Sequence, residues 1–151
     1  MKKTGVIIVG ELGGRSEALA KHLVAQTFRI CQVDTPKQMA ELLDTREWHL
    51  ALIDCALPGE GAHICTRHIR DRYAQSVAII MAMRSNRLAE RLRAWRWGAD
   101  VVVANPLNIH EVRLIVRQLS FRLSQASMHT QKSYRRARQD AQMIAGGRTD
   151  A

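Results

Sequence analysis

An α/β fold with a five-stranded parallel sheet in a three-layer (βα)5 sandwich is predicted by two features of the chain. Five short apolar runs alternate with longer amphipathic stretches, and each run is apolar at nearly every position, as strands covered by helices on both faces are. The 151 residues suffice for one compact domain with a full core and are too few for two of ordinary size. Hydrophobic residues at 46% and charged residues at 25% are a globular composition that argues against wholesale disorder.

Val6 to Val9 reads as the first strand. Ser16 is placed to cap a helix whose Ala18, Leu19, His22, Leu23 and Val24 follow the helical period. Phe28 to Val33 is the second strand. Thr35 as cap and Pro36 at the first helical position then open a helix carrying Met39, Leu42 and Leu43. His49 to Ile53 is the third strand, and Pro58, Gly59 and Gly61 mark a loop before a helix with Ile64, Cys65, His68 and Ile69 on one face. Val77 to Met81 is the fourth strand. Asn86 is expected to cap a helix with an apolar stripe of Leu88, Leu92 and Trp95, ended by Gly98. Val101 to Ala104 is the fifth strand, after which Asn105-Pro106 turns the chain. Asn108 caps the last helix, lined by Val112, Ile115, Val116, Leu119 and Leu123. The domain reading is therefore 1–123, with 124–151 as a basic tail, either an extension of the last helix or disordered; Met128 is its last convincing apolar position.

In open parallel sheets, ligand chemistry gathers where the strands end at their carboxyl edge. That directs attention to Gly10 and Glu11, Asp34, Asp54, Ala82 and Asn105, which follow or close the five strands. Asp54 stands out, since it closes the apolar run Leu50-Ala51-Leu52-Ile53 and precedes Cys55-Ala56-Leu57-Pro58-Gly59.

Asp54-Cys55-Ala56-Leu57-Pro58-Gly59-Glu60-Gly61, Ile69-Arg70, Gly98-Ala99-Asp100 and Asn105-Pro106-Leu107, in this order around five strands, resemble a bacterial two-component response-regulator receiver domain. The resemblance covers roughly Lys3 to Ser120 and implies the flavodoxin or CheY-like sandwich. It implies that Asp54 matches the phosphoacceptor that a histidine kinase loads. It also implies a Mg²⁺ site, for which Glu11, Asp54 and the Ala56 carbonyl are the candidates. The chain departs from the family at four positions: Gly10 replaces one acid of the metal-binding pair, Ala82 the hydroxyl residue after strand four, Val102 the aromatic switch residue and Asn105 the lysine.

Phosphoryl transfer needs fixed positive charge near the equatorial oxygens, and Mg²⁺ needs nearly octahedral oxygen ligation. Asn105 supplies only a neutral hydrogen bond, and metal binding is weakened. The expectation is thus a degenerate, non-enzymatic pseudo-receiver acting by protein contact or dimerisation, with phosphorylation switching impaired or absent. Mg²⁺ is an optional cofactor. Its rival is a phosphorylation-competent regulator using Asp54 and Mg²⁺.

The family's usual contact face, formed by helix four, strand five and helix five, is where partners are expected. Arg91, Trp95, Trp97 and Arg113 are the candidates. Trp95 fits the apolar stripe and Trp97 points away from it, which makes Trp97 the contact residue. A homodimer or a signalling partner such as a histidine kinase is expected there.

The net charge of +9 favours an acidic partner. Five of the nine excess charges fall from Asn108 onward, so a nucleic-acid-associated regulator using the basic tail is a further alternative. The tail shows no helix-turn-helix, zinc or RNA-recognition motif, and Tyr134 is its one stacking ring. A regulator truncated before its output domain would look similar.

Other chemistry finds little support. Gly10-Glu11-Leu12-Gly13-Gly14 follows a strand as in a dinucleotide site, but Leu12 stands where the backbone would have to approach a pyrophosphate. His63 and His68 are five apart and do not share a helical face as metal ligands would. Cys31, Cys55 and Cys65 lack C-x-x-C spacing and read as buried reduced thiols. No apolar run approaches the roughly 20 residues of a membrane span, so a soluble cytoplasmic protein without membrane contact is expected.

Overall fold

The computed structural model describes residues 3–146, and for 127–134 and 145–146 the backbone alone. Five strands and five helices alternate: β1 (Gly5–Val9), α1 (Ser16–Val24), β2 (Arg29–Val33), α2 (Pro36–Leu43), β3 (Leu50–Asp54), α3 (Gly61–Tyr73), β4 (Ala78–Met83), α4 (Leu88–Trp97), β5 (Val101–Ala104) and α5 (Ile109–Gly146). The strands pair in parallel in the order β2-β1-β3-β4-β5. The order therefore reverses between β1 and β3, the point at which parallel sheets of this kind form a crevice at their carboxyl edge.

Every residue of β1, β3 and β4 is buried. Ile7, Ala51 and Ile79 belong to a cluster that includes Met39 and Leu43 of α2, Cys65 and Ile69 of α3, and Ala94 of α4. The alternate strand positions Ile8, Leu52 and Ile80 face the other way by the period of two, and they are fully buried. Leu19 and Leu23 of α1 and Val112 and Val116 of α5 are buried as well. Each such side chain stabilises the fold by about 1.5–3 kcal/mol relative to exposure.

Two caps match the sequence reading. Thr35 Oγ1 accepts the Gln38 N–H at 3.2 Å, while Gln38 Oε1 accepts the Asp34 N–H at 2.8 Å. Asn108 Oδ1 accepts from His110 N and Glu111 N at 3.0 and 3.1 Å. Two others do not match. Ser16 is the first residue of α1 rather than its cap, and α4 is capped by Arg87 without a side-chain bond. In place of Asn86, Glu90 reaches back from the first turn of α4. Its Oε2 accepts the Ser85 N–H at 2.9 Å and the Ser85 hydroxyl at 2.8 Å. These bonds hold the Glu90 carboxyl below the usual carboxylate range.

Gly98 ends α4 at φ +111°, a left-handed conformation that a side chain would strain. The Arg70 guanidinium fixes this corner. It donates to the carbonyls of Gly98, Ala74 and Val77 and to Asp100 Oδ2, the last at 2.7 Å. Asp100 Oδ2 also accepts the Ile79 N–H at 2.7 Å, so α3, β4 and the turn before β5 are tied at one point.

Met1–Ser120 forms one compact unit and Phe121–Ala151 a second. The second is helical as far as Gly146, and its Arg135, Arg136 and Arg138 are exposed. The tail's Met128, Lys132 and Tyr134 side chains, like Gly147, Arg148 and Asp150, lie outside the described residues. Among the described residues, no helix is long and apolar enough to cross a membrane.

Candidate functional site

β3 ends at Asp54, beside the crevice between β1 and β3. The carboxylate is only 5% exposed, and both of its oxygens accept backbone hydrogens. Oδ1 accepts from Ala56 N at 2.9 Å, the near side of the loop that follows β3. Oδ2 accepts from Leu12 N at 2.8 Å, from the loop that follows β1.

The loop after β1 is shaped for this approach. Gly10 has φ +100°, and a Cβ there would lie 2.7 Å from Asp54 Cβ, closer than any real pair of such atoms. Leu12 has φ +53° and a fully buried side chain. A left-handed conformation costs a branched residue about 1–2 kcal/mol, which the burial of Leu12 offsets. Gly13 and Gly14, also at positive φ, complete the turn into α1.

Glu11 and Asp34 are exposed. The Asn105 N–H bonds the Met83 carbonyl at 2.8 Å, and its buried Oδ1 has no hydrogen-bond partner. A Cβ on Gly13 would lie 3.9 Å from Asn105 Cγ, so the amide borders the β1–α1 loop. Ala82 pairs in register with Asp54. It lies inside β4 rather than after it, however, because that strand continues to Met83, and both residues are buried. Val102 is half-buried against the core.

Mg²⁺ requires several oxygen ligands at about 2.0–2.1 Å in nearly octahedral array. The arrangement meets that requirement poorly: each Asp54 oxygen already accepts an N–H, Glu11 is exposed, and Gly10 has no carboxylate to add. Among the described residues no three His, Cys, Asp or Glu side chains gather to hold a metal. Beside the carboxylate, burial first and the Asp54 charge second push the Cys55 thiol up.

The tryptophans of α4 occupy the reverse of their expected positions. Trp97 is half-buried against the core, stacks on His63 of α3 at 5.1 Å with 14° between ring planes, and lies under the Arg93 guanidinium. Trp95 is 47% exposed, and Leu88 and Leu92 on its stripe are exposed too. The reason is Ala94, the buried residue of α4. At 3.6 residues per turn, Trp97 lies three residues on and shares that side, whereas Trp95 is turned away from it. On α3, Ile64 is likewise exposed, and the buried face is Ala62, Cys65, Thr66 and Ile69. Arg91 of α4 and Arg113 of α5 each bury an Nε–H without a partner.

No family model matches the chain. The TorCAD operon transcriptional regulatory protein TorR of Escherichia coli K12 is 26% identical over 129 residues, which cover 83% of this chain and 55% of TorR. The solved receiver domain of the TMAO respiratory system response regulator TorR superposes with a TM-score of 0.71 at 26% identity, over 80% of this chain and 98% of that domain. The chain has the fold of a response-regulator receiver domain. A signal receiver domain from Vibrio parahaemolyticus shares the fold at TM-score 0.75 and 14% identity, over 84% of this chain and 97% of its own. The chain spans about half the length of the curated relatives it matches, 55% of each. Within this fold the feature that the residue pattern does not reveal is the Leu12 backbone. Its one signal was an apolar residue set among four loop residues, three of them glycine.

Proposed function

We propose that this receiver domain works by protein contact, as a homodimer or with a signalling partner, through the surface of α4, β5 and α5, and that its phosphorylation switch is impaired. The single observation that carries the reading is the stripe of Leu88, Leu92 and Trp95, which leaves three large apolar side chains of one helix in water. A partner that covers them removes apolar area from solvent, and an exposed tryptophan in such a patch is a typical binding hot spot. The partly exposed Arg91 and Arg113 side chains add positive charge that a partner's carboxylate would pair with. The impaired switch is supported by Gly10, Val102 and Asn105, and by the absence of a hydroxyl at both Ala82 and Met83. A cytoplasmic setting fits this role.

Sedimentation across a concentration series tests the reading. Self-association that Trp95→Ala weakens at least about tenfold, the effect of a hot-spot residue, supports a homodimer on this face. A dimer indifferent to both Trp95→Ala and Leu92→Ala contradicts it.

A further inference from the structure

We infer that the β1–α1 loop is a built-in occupant of the crevice, with the Leu12 N–H and buried side chain standing where a cation would sit, so that Asp54 pins the loop as a structural acceptor. The inference deepens the impaired switch proposed above and rests on that reading, but on different atoms from the docking surface.

Three observations carry it. Both Asp54 oxygens accept short backbone bonds, from Leu12 N at 2.8 Å and Ala56 N at 2.9 Å, so a cation at either oxygen would share it with an N–H donor already in place. The Leu12 side chain is fully buried although its backbone is left-handed, so the loop is held down by packing as well as by the hydrogen bond. Gly10 lies against the carboxylate: a Cβ would be 2.7 Å from Asp54 Cβ and 3.3 Å from Leu57 Cδ2. An acid at Gly10 therefore has no room while the loop stays in place. The three fit together, since the close approach of Gly10 is what brings the next turn within reach of Oδ2.

The loop thereby joins β1 to β3 across the point where the strand order reverses. In this arrangement the carboxylate is satisfied by the protein itself, and the loop's order depends on it.

Amide hydrogen exchange on the full chain, with and without millimolar Mg²⁺ and beryllofluoride, tests the inference. The Leu12 amide is expected to exchange slowly, unchanged by either addition, and on the order of tenfold or more faster in Asp54→Ala. Should Asp54→Ala fail to fold, Asp54→Asn removes one of the two acceptors and is expected to speed one of the Leu12 and Ala56 amides. Leu12→Gly tolerates the left-handed backbone but removes the buried side chain, and it is expected to speed exchange of the residue-12 amide on the order of tenfold by freeing the loop from its packing. Rapid exchange of Leu12 in the natural chain, or a saturable response of that chain to Mg²⁺ with loss of Leu12 protection, overturns the inference. So does a Leu12→Gly variant whose residue-12 amide exchanges as slowly as its parent's. Weakened association in Trp95→Ala alongside a rapidly exchanging Leu12 would overturn this inference alone and leave the docking surface standing.

Discussion

The backbone N–H of Leu12 donates to Oδ2 of Asp54 at 2.8 Å, joining residues 42 apart in the chain at the carboxyl edge of the sheet. With Ala56 N on the other oxygen, the buried carboxylate is a two-point anchor. Asp54→Ala leaves two backbone donors without their acceptor. It is expected to lower stability by about 1–3 kcal/mol in urea unfolding. Asp54→Asn, which retains one acceptor oxygen, is expected to lose less.

Gly10→Ala meets two obstacles at once, a φ of +100° and a Cβ contact of 2.7 Å with Asp54. A loss of about 1–3 kcal/mol is expected from the strained backbone and the displaced carboxylate. The same denaturation experiment measures it, and an unchanged midpoint would show that the loop does not press on Asp54.

The two tryptophans of α4 separate stability from association. Trp97→Ala removes a ring that stacks on His63 and packs on the core, and it is expected to cost about 2–3 kcal/mol. Trp95→Ala is expected to change stability by no more than about 0.5 kcal/mol while weakening self-association. Thermal unfolding and sedimentation on the two variants check both halves.

Arg70→Ala is expected to cost about 3 kcal/mol, because it strips the Gly98, Ala74 and Val77 carbonyls of a donor and leaves Asp100 without its cation. Arg70→Lys recovers only part, since an ammonium cannot span the fork of acceptors that the guanidinium reaches.

The thiols carry a pH prediction. Burial pushes Cys65 up to about 12, above its ordinary value of 9.0. A raised pKa in the folded state contributes stability that is complete below the unfolded value and is lost as pH rises through the folded one. Stability should therefore fall between pH 9.0 and about 12, with Cys65 deprotonation favouring the unfolded chain. At neutral pH, iodoacetamide is expected to spare Cys65 until denaturant is added, as mass spectrometry of the alkylated peptides would show.

Strands, caps with their own side-chain chemistry and the receiver pattern were legible because they are local. Thr35 and Asn108 cap as their residue types dictate, and the five apolar runs became the five strands. The outward turn of α4 was not legible. Leu88, Leu92 and Trp95 form a proper amphipathic stripe, and only packing against the sheet shows that Ala94 faces it instead. Leu12 was hidden for a related reason: its part in the site is played by a backbone N–H, which every non-proline residue has. The end of β4 at Met83 depends on pairing with β5, where Met83 is matched to Ala104.

On the proposed reading, the Asp54 carboxylate is committed to the protein's own backbone and is a poor phosphoryl acceptor. Incubation of the full chain with acetyl phosphate and Mg²⁺, followed by intact mass measurement, tests it most directly. An unmodified mass is the predicted result. A stoichiometric phosphoryl adduct that hydroxylamine removes and Asp54→Asn abolishes would contradict the account.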